Sequence, residues 1–297
     1  MGCRGRRAAG RPAGVGGGKE VRGFMPEGDS IYQLSRRLQF LVGRTVLAAD
    51  IRVPRHATVN LAGTTIRRVW PYGKHLFMQL DDTIIHTHLK MEGTWTIHRV
   101  GDRWRRPAHT ARVILRVADP PHRPIELVGH SLGFVKIFSA KTYPEHVGYL
   151  GPDVLAPDWE HVGEPEAWRR IMLRPDRPVG TALLDQTNLA GIGNEYRAEI
   201  CFIAGIHPQT PVKLCDMHQV LAIARRLIWG NRLSPLRVTT GVRRVGESTY
   251  VFGRDGQPCR RCGTVIVTGT LGGAAGGDEG ELERMIWWCP RCQPPVI

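Results

Sequence analysis

Gly253-Arg254-Asp255-Gly256-Gln257-Pro258-Cys259-Arg260-Arg261-Cys262-Gly263-Thr264 is followed, after 26 residues beyond Cys262, by Cys289-Pro290-Arg291-Cys292-Gln293. Each Cys-x-x-Cys pair puts two thiolates on a tight turn, and two such turns can converge on one tetrahedral zinc ion. Four thiolates leave no open position for water, so one ion held there is structural and catalysis must come from elsewhere. Redox dithiols are the other reading of such pairs. The gap exceeds the roughly 15 to 20 residues of the usual template. Residues 264–270 and 281–288 read as the strands of a hairpin, with the Gly-rich stretch 271–280 as an enlarged tip. Arg284, five residues before Cys289, would stand on the second strand as a probe for phosphate, or simply as a solvated arginine. Cys201 and Cys215 fit as small apolar packing groups, and Cys3 falls in the N-terminal tail.

Upstream of this unit, beginning near Gly246, the segments 164–173, 181–186, 194–203 and 212–229 carry helical signals, with Gly205 as a C-terminal stop for the third. Between the second and third lies Leu189-Ala190-Gly191-Ile192-Gly193-Asn194. Its glycines permit close backbone approach, and free N–H groups at the next helix start favour a phosphate, assisted by Asn194. A tight turn with Asn194 as N-cap is an equal local reading. Farther upstream a Pro- and Gly-rich linker covers 143–158. Before it come eight short runs of strand character, 45–51, 64–69, 75–80, 83–88, 94–99, 111–117, 125–128 and 134–138, spaced as in an antiparallel sandwich. Ile31, Leu34, Leu38 and Leu41 recur at helical spacing ahead of the strands, with Asp29 or Ser30 as candidate N-cap. The expected fold is α+β and multidomain: a β-sandwich with a leading helix (25–142), a helical module (159–245) and a zinc-stapled hairpin (246–297).

The 297 residues carry a net charge of +14, mostly from arginine, whose planar fork suits phosphate oxygens. Six basic residues against Glu20 place five of those charges in residues 1–24, leaving +9 on the rest, so the basic character does not come from the tail alone. That tail is rich in Gly, Arg and Ala without apolar periodicity and is expected to be disordered. No apolar run approaches the roughly 18 to 20 residues of a bilayer span, so no membrane partner is expected. The paired cysteines point to a reducing compartment.

Met25-Pro26-Glu27-Gly28 ahead of a helix, the Leu-Ala-Gly-Ile-Gly-Asn loop and the Cys-x-x-Cys pairs occur in one order. Together, over residues 25–293, they resemble the formamidopyrimidine-DNA glycosylase and endonuclease VIII family of base-excision repair enzymes. The resemblance implies a β-sandwich, a helix-two-turn-helix module and a zinc finger that clamp damaged double-stranded DNA and flip out an oxidised base. It implies a cytoplasmic, nucleoid-associated monomer. It places the nucleophile at the secondary amine of Pro26, the general acid and base at Glu27, and a catalytic phosphate-contacting lysine at Lys74. It makes Asn194 and Arg284 phosphate ligands, puts Glu199 beside the flipped-base pocket, and offers Met91 as the wedge that fills the hole, with Leu132 as a second wedge. Locally, Glu199 could equally be a surface acid and Met91 a core residue. His86 and His88 share a strand face and read as packing or phosphate-facing groups.

Only a free amine can attack C1', because an amide nitrogen has its lone pair in peptide resonance. The working chain is therefore expected to start at Met25, with Met25 then removed, or to be trimmed there by proteolysis. The family's formamidopyrimidine branch has a Glu near Ser30 and an Arg-Phe-Gly loop where this chain has His130-Ser131-Leu132-Gly133. Both departures imply the endonuclease VIII branch and oxidised pyrimidines. The expected function is a bifunctional glycosylase and abasic-site lyase; the alternative is a non-catalytic zinc-containing DNA-binding protein, should Pro26 never be exposed.

Overall fold

The computed structural model describes residues 26–272 and 284–295; the expected disordered tail and most of the expected hairpin tip lie outside them. α1 (Gly28–Arg37) starts earlier than the apolar spacing indicates. Its cap is Glu27, whose carbonyl accepts from Ser30 N and Ile31 N, rather than Asp29 or Ser30. Ile31, Leu34, Leu38 and Leu41 are all buried, as their spacing requires.

The strands follow: β1 (Val46–Ile51), β2 (Ile66–Tyr72), β3 (His75–Leu80), β4 (Thr83–His88), β5 (Thr94–Arg99), β6 (Ala111–Val117), β7 (Ile125–His130) and β8 (Phe134–Ser139). They form two four-stranded antiparallel sheets, ordered β1-β6-β7-β5 and β2-β3-β4-β8. Alternation along the strands puts Leu76, Met78 and Leu80 of β3 in one buried cluster with Val113, Leu115 and Val117 of β6, and α1 closes it with Ile31, Leu34 and Leu38. The two-residue turn Gly73-Lys74 between β2 and β3 leaves the sandwich toward the helical module.

The linker is not wholly irregular. α2 (Tyr143–Val147) forms at its start, with Pro144 in the first turn, where a missing N–H costs nothing. α3 (Glu164–Met172) follows a widened π turn at Trp159–Gly163. After α4 (Val179–Leu184) and α5 (Asn194–Ala204), the last expected helix is broken. Val212–Leu214 is a 3-10 turn, and Asp216 caps α6 (Met217–Asn231) by accepting from Gln219 N at 3.0 Å. Gly205, at φ 71°, ends α5 where the sequence indicates. β9 (Val267–Leu271) and β10 (Arg284–Trp288) pair antiparallel as the expected hairpin strands; β9 starts three residues later than the sequence reading, and 281–283 of the second strand lie outside the described residues. No helix among the described residues is long and apolar enough to cross a membrane.

α5 is the axis of the C-terminal half. Every residue from Asn194 to Phe202 is buried. One side, with Tyr196, Ile200 and Cys201, belongs to the helical core; Ala198 and Phe202 instead join Val251, Ile266, Cys259 and Cys289 under the hairpin. Cys201 and Cys215 pack among apolar side chains, as expected. Phe202 also stacks on Tyr250 at 4.9 Å and lies under Arg261. Phe202→Ala should therefore lower the stability of the C-terminal half by about 3–5 kcal/mol, read from the urea midpoint, without moving the N-terminal sandwich transition.

Candidate active site

The first turn of a helix exposes N–H groups that need acceptors, and the N-cap of α5 is Gly193, which has no side chain to supply one. The acceptor comes from the other end of the chain. Glu27 Oε2 accepts from Gly193 N at 2.6 Å and Glu27 Oε1 from Glu195 N at 2.9 Å. Beside it, Gly28 N donates to Gly191 O at 2.9 Å. Glycine is required at 193, since a Cβ there would lie 2.4 Å from Glu27 Cδ. The N–H groups read from sequence as a phosphate cradle are thus occupied by a protein carboxylate. Asn194 is not the N-cap either: its Nδ2 donates to Met285 O at 3.1 Å and its Oδ1 accepts from Arg197, tying α5 to β10.

Glu27 is fully buried, and burial pushes its carboxyl above the usual range; the positive charges of Arg237 and Lys74 and the Glu195 N–H pull it back, while Asp29 pushes it up. A buried carboxyl so placed is a candidate general acid and base.

Lys74 is delivered by the β2–β3 turn. Gly73 N donates to Asp153 Oδ2 at 2.9 Å and Tyr72 OH to Gly151 O at 2.9 Å, pinning the turn to the start of the helical module. Gly73 has φ 53° and a Cβ there would meet Ala190 Cβ at 2.7 Å, so only glycine lets the turn approach. Lys74 is lowered to about 8, by burial first and by Arg237, Arg284 and Arg197, against the opposing pull of Glu27. These interactions bring Glu27, Lys74 and the exposed Arg284 into one electrostatic neighbourhood, next to the half-buried Pro26.

Other expected residues fall elsewhere. Met91 is 63% exposed on the turn after β4, which removes the core reading. Leu132, at 7%, lies inside the sandwich core and is not available as a wedge. Glu199 is fully buried rather than on the surface: its carboxylate accepts from Thr239 Oγ1 and from the N–H groups of Tyr250, Val251 and Phe252 at 2.8–2.9 Å. It anchors the chain entering the hairpin. His86 is buried, bonds His75 at 2.8 Å and packs against Phe77 and Phe134, which fits the packing reading. The four cysteine sulfurs of the C-terminal pairs lie within 4.8 Å of one another and could hold a metal ion; no other such group occurs among the described residues.

Sequence reasoning missed Arg237. It stands in irregular chain after α6 with no motif around it, yet its fork clasps Asp29, at 2.6 and 2.8 Å, and Glu195, at 2.7 Å. The nearest sequence signals were the acids at 29 and 195, each of which reads locally as an ordinary first-turn helix residue.

The formamidopyrimidine-DNA glycosylase N-terminal domain model matches residues 25–128, and the H2TH domain model of the same glycosylase matches residues 150–229. The chain belongs to the formamidopyrimidine-DNA glycosylase and endonuclease VIII family. It is 42% identical over 271 residues to Endonuclease 8 2 of Mycobacterium tuberculosis, covering 91% of this chain and all of that protein. It is also 42% identical over 271 residues to the DNA-(apurinic or apyrimidinic site) lyase Nei2 of Mycolicibacterium smegmatis, covering 91% of this chain and 99% of that one. In fold it is similar to Lactococcus lactis formamidopyrimidine-DNA glycosylase in complex with DNA containing an abasic site, with TM-score 0.72 and 21% identity, over 91% of this chain and all of the other. The family's sandwich, H2TH module and cysteine hairpin therefore correspond to the three units described above.

The titration of Lys74 tests the geometry directly. NMR of the labelled Lys74 side chain should give a midpoint near 8, and Glu27→Gln should move it lower, because the neutral amide no longer favours the ammonium. An unchanged midpoint would separate the two groups.

Proposed function

We propose that this protein is a bifunctional DNA glycosylase and abasic-site lyase that excises oxidised bases through an imine on Pro26. The observation carrying the reading is the Glu27 carboxyl, buried at the α5 N-terminus one residue from Pro26 and within the electrostatic reach of Lys74. The relatives named for endonuclease and abasic-site lyase activity support it.

The chemistry follows from these groups. The Pro26 nitrogen attacks C1', the bond to the base breaks, and the base leaves with the electron pair and a proton. Sugar-ring opening yields an iminium, protonation of the ring oxygen being the work of Glu27. Loss of the C2' proton then supplies the pair that forms C2'=C3' as the 3' phosphate departs. Lys74 and Arg284 would neutralise phosphates of the lesion strand, and Asn194 would join them by exchanging its bond to Met285 O of β10. Met91, exposed on a turn, would fill the space left by the extruded nucleotide. With Leu132 buried, the β7–β8 turn contributes no second wedge, which together with Ser30 favours the endonuclease VIII branch and oxidised pyrimidines. Glu199 would act indirectly, through the 250–252 segment that it anchors. Because one protomer carries amine, carboxyl and cysteine cluster, the reading takes it as a monomer on duplex DNA.

A tetrahedron with Zn–S bonds of about 2.3 Å has S···S edges of about 3.8 Å. Cys259–Cys292 at 3.9 Å and Cys262–Cys289 at 3.4 Å fit that edge, so these four residues would hold one structural zinc ion. Chelation should release about one equivalent of zinc and, by loosening the hairpin under α5, weaken DNA binding while leaving the sandwich folded, as read by circular dichroism and a binding titration.

The reading also requires a free amine. The family match begins at Met25, and the mycobacterial relative is aligned over its whole length to 91% of this chain, which supports a working chain that begins at Pro26. Mass spectrometry of the protein expressed from the full-length sequence should find Pro26 at the N-terminus, and borohydride with an abasic or thymine-glycol duplex should trap a covalent adduct. A chain verified to start at Pro26 that forms no adduct would refute the lyase. A cellular protein that retains residues upstream of Pro26 would leave the non-catalytic DNA-binding reading.

A further inference from the structure

Arg237 lies behind the Pro26–Glu27 start, almost entirely buried, among acids from separate elements. Its Nε and Nη2 donate to both oxygens of Asp29, and Nη2 also reaches Ser30 Oγ at 3.2 Å, so α1 is gripped in its first turn. Its Nη1 donates to Glu195 Oε2 and stands 3.7 Å from Glu27 Oε1. Its guanidinium covers the Tyr196 ring at 4.8 Å, while Tyr196 OH donates to Asp29 Oδ2 at 2.9 Å. One planar cation thus joins the chain two residues past Glu27 to the helix end that Glu27 caps.

We propose that Arg237, held by Asp29 and Glu195, is a positioning residue for the Pro26–Glu27 start, fixing the Glu27 carboxyl in place and governing, by its charge, whether that carboxyl carries a proton. The proposal rests on the reading of Pro26 and Glu27 given above. The geometry carries it in two ways. A fork bonded bidentately to Asp29 and singly to Glu195 cannot turn, so α1 and α5 cannot slide past each other without breaking a buried ion pair. And three buried acids, Glu27, Asp29 and Glu195, share this cation, with Glu195 Oε1 left without a hydrogen-bond partner. Burial accordingly pushes Glu195 up to about 7. The charged and titratable groups around Glu27 are Arg237, Lys74, Arg197, Asp29, Glu195 and Tyr196. Of these, Arg237 is the largest charge lowering Glu27 and Asp29 raises it.

That opposition supplies the test. In protein expressed from the full-length sequence, with its N-terminus verified, the pH profile of strand cleavage would be measured for wild type, Arg237→Gln, Arg237→Lys and Asp29→Asn. Removing the cation should shift the basic limb, set by loss of the Glu27 proton, to higher pH, and removing the neighbouring anion should shift it to lower pH. Arg237→Gln should lower kcat by about 100-fold with little change in KM, since the buried guanidinium touches no ligand surface. Arg237→Lys keeps the charge but loses the fork, so it should hold the limb in place and still lose kcat. A residue serving only stability would lower the melting temperature of these variants without moving the limbs in opposite directions, and that result would overturn the proposal. Should Arg237→Gln not fold, the isosteric Asp29→Asn still decides by the direction of its shift. If wild type forms no borohydride adduct, the Pro26 reading fails instead; the titration of carbon-13-labelled Glu27 in the same variants then reports whether Arg237 governs the carboxyl, and parallel or absent shifts reject it.

Discussion

A carboxylate from the start of the described chain caps a helix whose N-cap residue lies 166 residues later, and the arrangement of the three units hangs on that contact. The α5 N-terminus presents N–H groups and the positive end of a helix dipole, which favour an anion. Glycine at 193 supplies no cap of its own and leaves room for one. Glu27 fills the place, and in doing so sets the sandwich against the helical module with Pro26 alongside. Gly28 N bonding Gly191 O adds a backbone contact at the same crossing.

Burying a carboxylate is costly unless it is paired and hydrogen-bonded, and the crossing contains three buried acids. The structure offsets this with two backbone N–H groups on Glu27 and with Arg237, shared among the acids. The offset is incomplete, which is why Glu27 and Glu195 are both pushed upward and Lys74 downward. A fold optimised for stability alone would place apolar groups here. Retaining ionisable ones where a buried carboxyl and a buried lysine meet is the pattern of a site whose protons move.

The other end of α5 applies the same logic to the hairpin. Glu199, one turn beyond Glu195, gathers three consecutive N–H groups and a threonine hydroxyl, while Phe202 packs under the cysteine turns. The helix is polar at selected buried points and apolar elsewhere, so it reads poorly as an amphipathic surface helix and makes sense only as a central strut.

The units, most strands and the cysteine pairs were legible in the sequence because each depends on short-range pattern: alternation along β3 and β6, helical spacing from Ile31 to Leu41, and two thiolates per turn. The candidate catalytic residues were legible through motifs alone. What the chain does not encode locally is which partner a polar group finds. Asp29 looks like a cap and is an arginine's counter-ion; the loop before Asn194 looks like an anion cradle and holds Glu27; Glu199 looks like a surface acid and is a buried anchor; Leu132 sits on a turn yet faces the core. Each outcome is set by groups tens to hundreds of residues away, and a hydrogen bond or ion pair of that span has no period to read. Hydrophobic periodicity therefore fixed the elements, while the pairing of buried charges, and with it the state of the candidate site, was decided only when those elements were brought together.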